Sequence, residues 1–554
     1  MSWKTAALAL AGLLGRALGS PLNVSPATPL LARQSSSTFS NPVLWEDLPD
    51  LDVFRVGDVF YYSSSTFAYS PGAPVHKSYD LVNWTPVTHS VPRLDFENRY
   101  NLNSATDRAY VKGIWASTLR HRKSNDVFYW IGCVQSTGKT YVYTSAGGGA
   151  NSNNGEVSRW DWKRGGTINK CYYDCGLLVD DDDTMYVAYG STNIQVAQLS
   201  KDGFSEVRSQ QVYSPPGGAY IEGSHMYKIN GYYWIVPTKV ASGEWVLRSR
   251  SPWGPYEQRV LFDNVPGPLS NAGWAHQGGM VETKDGKWHY IAFLDAYPGG
   301  RIPVMAPLTW SSDGWPQLVK DSSGRWGTTY PKPVQTSRTV PGPARRDDFT
   351  GSELSPHWEW NHNPDDSKWR LQSGGGLVLQ AATVTDDLFT ARNTLTHRIL
   401  GPRSTATFRL DVSQMRDGDR AGAALFRDKG AYIGVHKSGS SATVVMVNSV
   451  NLGTSSAGWP TQSKGSVSAT GPTLSGAEVW LRVAADITPA FGLSPVRQAV
   501  FSYSTDGNTW TRLGASTMIN EYNYFTGYRF AAFNFATKAL GGQVILKSFT
   551  RELS

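Results

Sequence analysis

Cysteine is scarce in this chain, three residues in 554. Cys133, Cys171 and Cys175 allow at most one internal disulfide, and without paired Cys-x-x-Cys steps or nearby histidines they do not make a zinc site. Charge is sparse too, at 18% of residues. The formal net charge of +7 comes from Lys and Arg scattered singly rather than massed in blocks, which argues against a nucleic-acid partner. After the first twenty residues no apolar run approaches the ~20 residues that a membrane helix requires, so no membrane partner is expected. Helix-period segments of convincing length are missing, as are a Gly-x-Ser-x-Gly elbow, a phosphate-cradling loop and a dinucleotide fingerprint in a strand-to-helix setting. Serine-nucleophile, nucleotide and redox-cofactor chemistry are thereby disfavoured.

What the chain has in quantity is aromatic residues and glycine. With 21 Trp, 27 Tyr and 55 Gly, it reads as a twisted, turn-rich sheet protein. Its length exceeds one ordinary core, since domains run to about 100–250 residues, and two domains are expected. Residues 1–20 have the layout of a secretory signal peptide: Lys4, an apolar stretch over 6–18, then Gly19 and Ser20. An exported, extracellular protein follows as the expectation, and the sequons at Asn23 and Asn83 suit it.

Between residues 41 and 343 one phrase recurs. An apolar strand and a tight polar turn lead into a second strand carrying an aromatic at a fixed place, at Tyr61, Tyr129, Tyr186, Tyr233 and Tyr290. Five such hairpins predict an all-β fold opening with a five-bladed β-propeller over 41–343. The inner strands are expected to start at Asp52, near Trp115, at Asp174, at Glu222 and near His276, so that these residues ring one mouth of the central channel. The run Asp180-Asp181-Asp182-Asp183 lacks the spacing of a calcium loop and reads as a solvated turn. From residue 345 to 554 the pattern becomes alternating stretches separated by Gly and Asp-Gly turns. This predicts a C-terminal β-sandwich, joined through a Pro-, Thr- and Ser-rich linker over 334–344.

Acidic residues are disfavoured in strands and costly to bury beside one another, so three at matching repeat positions need a reason. Glycoside hydrolysis supplies one. A carboxylic acid protonates the leaving oxygen, a carboxylate activates water or attacks the sugar, and a third carboxylate raises the acid's pKa.

At these residues the chain resembles glycoside hydrolase family 43. The carriers are Asp52-Val53 leading to Gly57-Asp58, Asp174-Cys175-Gly176 leading to the acidic turn, and Glu222-Gly223 leading to Asn230-Gly231. The resemblance implies Asp52 as general base, with Asp50 as the alternative, Asp174 as modulator and Glu222 as general acid, in a single displacement with inversion. It further implies that Trp115 and Arg301 contact the sugar and that His276 holds water or a cation, a satisfied core histidine being the other reading. Within the family, Ser63-Ser64-Ser65-Thr66-Phe67-Ala68-Tyr69 and His357-Trp358-Glu359-Trp360-Asn361 are similar to fungal enzymes that release arabinose from doubly substituted xylose units of arabinoxylan. Phe67 and Tyr69 then line the sugar pocket or pack between the first two blades. Asp347-Asp348-Phe349 reads as a surface turn, with a structural calcium ion at Asp348 as the alternative. No cofactor is required for the chemistry, a monomer is expected, and the partner is arabinoxylan or its oligosaccharides. A β-xylosidase or endo-arabinanase of the same family and a non-catalytic carbohydrate-binding propeller are the competing readings.

Overall fold

The computed structural model describes residues 37–554 apart from 105, 494, 495, 522 and 523. The expected signal peptide and the sequon at Asn23 lie outside the described residues. The described chain is all-β, with five four-stranded antiparallel sheets followed by two eight-stranded ones. The innermost strands of the five blades are Asp52–Val56, Ser117–Arg122, Gly176–Val179, Ile221–Ile229 and Ala275–Glu282. Each is hairpinned to a second strand, and all five repeat tyrosines lie on those second strands.

Local chemistry explains the hairpins. Asn230 and Gly231 both adopt positive φ, 52° and 73°, the signature of the two-residue turn that matches strand twist, and Ile229 pairs with Tyr232 across it. The blades pack on one another through β-branched and aromatic side chains such as Val53, Trp234, Tyr290 and Ile291. The strand Thr38–Ser40, ahead of the first blade, pairs with Thr329–Pro331 after the fifth. Asn41 donates its side-chain amide to the carbonyls of Met305 and Gly327, fastening the same seam.

The two larger sheets stack as a sandwich whose core includes Phe408, Leu481, Phe530 and Phe549. Period-two burial is clean along Arg403–Asp411 and Glu478–Asp486. The sandwich borrows an edge from the propeller: Tyr69–Ser70, in the loop of the first blade, pairs with Trp358–Asn361. Beneath this junction Glu359 is fully buried, and its oxygens meet Arg398 at 2.8 Å, Arg529 at 2.5 Å and His89 of the first blade at 3.1 Å. A buried carboxylate with three cationic or donor partners is tolerated, whereas removal of one partner costs about 3–5 kcal/mol. The two domains are interlocked by backbone pairing and by charge.

Candidate functional site

Two residues before the inner strand of the first, second and third blades stand Asp50, Trp115 and Asp174. Asp50 and Asp174 share a left-handed backbone, φ 53° and 48°, a conformation Asp tolerates better than most residues, and it turns both side chains at the point where the strand begins. Glu222 is the second residue of Ile221–Ile229. The pairing of that strand is broken between Glu222 and His225 by a bulge, with Gly223 at φ 69°.

Two of these carboxylates are raised by their neighbours. Asp174 is buried, and its carboxyl is pushed well above the usual range first by burial and then by the charges of Glu222 and Asp50. Glu222 is also raised, chiefly by burial, with Asp50 adding to it and the hydroxyls of Tyr173 and Tyr220 working against it. Those hydroxyls donate to Glu222 Oε2 at 2.9 and 3.1 Å. Gln277 reaches Asp174 Oδ2 at 3.5 Å. Arg301 places Nη1 2.6 Å from Asp50 Oδ1 and Nε 3.3 Å from Asp295 Oδ1, and it lowers both Asp174 and Glu222.

Asp52 is elsewhere. Its side chain is fully buried inside the first blade, where Oδ2 accepts from Thr118 Oγ1 at 2.8 Å and the Leu119 amide at 2.9 Å and pairs with Arg120 at 2.6 Å. Burial works to raise its carboxyl, but Arg120 and His225 outweigh that and hold it below the usual range. Asp52 is thus a structural anion tying the first blade to the second, and the expectation that it lines the mouth is corrected to Asp50. The repeat itself carried the signal: Asp50 lies eleven residues before Tyr61, as Glu222 does before Tyr233, while Asp52 lies nine before.

An aromatic wall stands beside the carboxylates. Phe67 and Trp115 approach each other at 6.3 Å between ring centroids, and Trp115 meets Tyr173 edge-on at 6.4 Å. Sequence reasoning missed the residue that closes this wall. Phe525, from the sandwich domain, stacks on Phe67 at 6.2 Å with rings 9° from parallel, and it lies over the Arg301 guanidinium at 5.2 Å. The same guanidinium lies 4.7 Å from the Phe293 ring.

At three further positions the structure favours one reading over another. Tyr69 does not face the mouth: its buried ring lies under Arg529 at 3.5 Å in the domain interface. His276 is a packed histidine, Nδ1 2.9 Å from the Trp274 carbonyl and the ring edge-on to Phe293 at 4.5 Å, with burial lowering its pKa. Asp348 pairs with Arg346 at 2.6 Å on the surface. Among the described residues no group of three or more His, Cys, Asp or Glu side chains is placed to hold a metal ion.

Comparison with known proteins follows the same division of the chain. The model of glycosyl hydrolases family 43 matches residues 39–316, and that of a β-xylosidase C-terminal concanavalin A-like domain matches 346–550. A β-xylosidase of Formosa agariphila is 27% identical, covering 93% of this chain and 90% of its own length. A non-reducing end α-L-arabinofuranosidase of Bacteroides ovatus is 31% identical over 71% of this chain and 74% of its own. A solved structure, 60% identical with a TM-score of 0.91, covers 93% of this chain and 100% of its own. It comes from work in which the active site of a family 43 glycoside hydrolase was engineered to display both endo-xylanase and exo-arabinofuranosidase activity.

Proposed function

The chain belongs to glycosyl hydrolase family 43, and from that premise we propose that it is an exported α-L-arabinofuranosidase that removes arabinose branches from arabinoxylan, acting on doubly substituted xylose at the O-3 linkage. The observation that carries the reading is the cluster of Asp50, Asp174 and Glu222 at one mouth, where Asp50 raises the other two, beside an aromatic wall closed by Phe525. Glu222, its pKa raised, protonates the departing xylan oxygen. Asp50 draws the proton from water as that water attacks the anomeric carbon from the opposite face, inverting the configuration. Burial and the charge of Asp50 keep Glu222 protonated, and Asp174, buried beside them, is the modulator. Arg301, flanked by two rings, orients Asp50 and the sugar. The Cys133–Cys171 disulfide supports export, since such bonds persist in oxidising compartments.

The test is incubation with singly and doubly substituted arabinoxylan oligomers, followed by NMR of the linkage lost and of the first anomer formed. Free β-arabinofuranose from the O-3 position supports the reading. A β-xylosidase is the second reading, favoured by the match of the C-terminal domain; xylose as the first product would establish it and overturn the first.

A further inference from the structure

Three chain segments from both domains meet behind Arg301, and Asp47 stands between them. Its side chain is buried, 3% exposed. Oδ1 accepts the Arg301 backbone N–H at 2.8 Å, and Oδ2 accepts the Gly527 N–H of the sandwich at 2.9 Å. The Asp47 carbonyl accepts Arg398 Nε, also from the sandwich, at 3.0 Å. The backbones are closely set: Leu48 N–H bonds the Arg301 carbonyl at 3.0 Å, and Tyr528 N–H bonds that of Pro298 at 3.2 Å. Glycine is required at two points of the junction. A Cβ on Gly300, φ +97°, would strike the Asp47 carboxylate, and one on Gly527 would strike the Gly299 carbonyl.

The two groups that Asp47 holds converge on the site. Arg301 pairs with Asp50, and Gly527 lies two residues after Phe525, whose ring covers the Arg301 guanidinium. One carboxylate therefore sets the backbone of the arginine and the loop that caps it. We propose that Asp47 is a positioning residue through which the sandwich domain fixes Arg301 against the catalytic carboxylates, making that domain a working part of the active site. The inference rests on the catalytic reading above.

Both oxygens are used as acceptors, so an isosteric amide is not equivalent: Asn presents one oxygen and turns an NH2 toward an N–H donor. In the full chain, Asp47→Asn should lower kcat by about 10²-fold, the scale of a small misplacement at a reacting centre, with KM much less affected. The pH profile supplies a readout that simple domain adhesion would not move. Glu222 and Asp174 are faced by Asp50, Tyr173, Tyr220, Cys175 and Arg301, and Arg301 lowers both. When Arg301 recedes, both should titrate at higher pH, carrying the alkaline limb of kcat/KM upward. Asp47→Glu, which keeps two acceptors, should recover part of kcat. A wild-type limb in folded Asp47→Asn enzyme overturns the proposal, even where the melting temperature falls. Should that variant not fold, hydrogen exchange on the wild-type chain decides: protected Arg301 and Gly527 amides support the clamp, and rapid exchange at either overturns it. An inactive wild-type enzyme would instead remove the catalytic reading and leave the exchange result standing.

Discussion

Arg301 of the fifth blade and Asp50 before the first are joined by a 2.6 Å ion pair across the seam where the propeller closes. Asp52, one residue further from Asp50 than Leu51, belongs to a different pair, with Arg120 of the second blade. Residues two apart on an extended chain share a face, but the left-handed turn at Asp50 breaks that alternation just before the strand, so two carboxylates two residues apart serve two different charge systems.

This division predicts opposite outcomes for two similar substitutions. Asp50→Asn should lower kcat by about 10²- to 10⁴-fold, the usual contribution of a general base, with little change in melting temperature. Asp52→Asn should instead destabilise the fold by about 3–5 kcal/mol, because Arg120 is left buried without its counter-charge. Steady-state kinetics and thermal unfolding on both variants check the contrast, which fails if Asp52→Asn is the catalytically dead one.

Glu222→Ala should be sensitive to the leaving group. Aryl arabinofuranosides with acidic phenols need little protonation and should retain much of their rate, whereas arabinoxylan oligomers should lose about 10²-fold or more. Equal losses on both substrates would remove Glu222 from the acid role.

The raised pKa of Asp174 has a consequence for stability. A carboxyl whose folded pKa exceeds its unfolded value opposes folding increasingly as pH rises from the unfolded value, 3.8, towards the folded one. Asp174→Asn removes that cost, so it should melt higher than wild type near neutral pH, lose the advantage below about pH 4, and be much less active. Unfolding followed as a function of pH tests the sign, and an advantage that grows on acidification would refute it.

Phe525→Ala should weaken kcat/KM about five- to tenfold, the worth of roughly 1 kcal/mol of aromatic contact. Because the ring covers Arg301 and stacks on Phe67, the loss should be seen on small aryl substrates as well as on oligomers. An effect confined to oligomers would place Phe525 outside the sugar pocket.

The disulfide joins Cys133, in the second strand of the second blade, to Cys171, three residues before Asp174 and 38 positions from Cys133 in sequence. Replacing both cysteines with serine should cost about 3–4 kcal/mol by loop-closure entropy. Activity under mild reduction should fall alongside the melting temperature, and an unchanged midpoint after reduction would contradict the expectation.

Much of this architecture was legible before any coordinates. The repeat of hairpins with one aromatic at a fixed place specified five blades, because an inner strand, a turn and a second strand are set by residues close in sequence. Asp174 and Glu222 were legible for the same reason: each stands eleven or twelve residues before its own repeat tyrosine. Asp52 was misread because Asp50 and Asp52 both stand at the start of the same strand, only the spacing to the repeat tyrosine separates them in sequence, and the Arg120 that claims Asp52 arrives from another blade. Tyr69 was misread because its neighbour is Arg529, in the other domain.

The sequence by itself determined the all-β class, the blade count, the change of pattern into a sandwich, and the acidic and aromatic residues from which a sugar-cleaving site is built. Local periodicity and turn chemistry carry that information. Only the tertiary structure decided which aspartate meets Arg301, that Phe525 closes the aromatic wall, and that Asp47 links the two domains behind it. Those contacts join residues hundreds of positions apart, where no periodic pattern constrains the pairing and only the packing of one sheet against another brings the groups within reach.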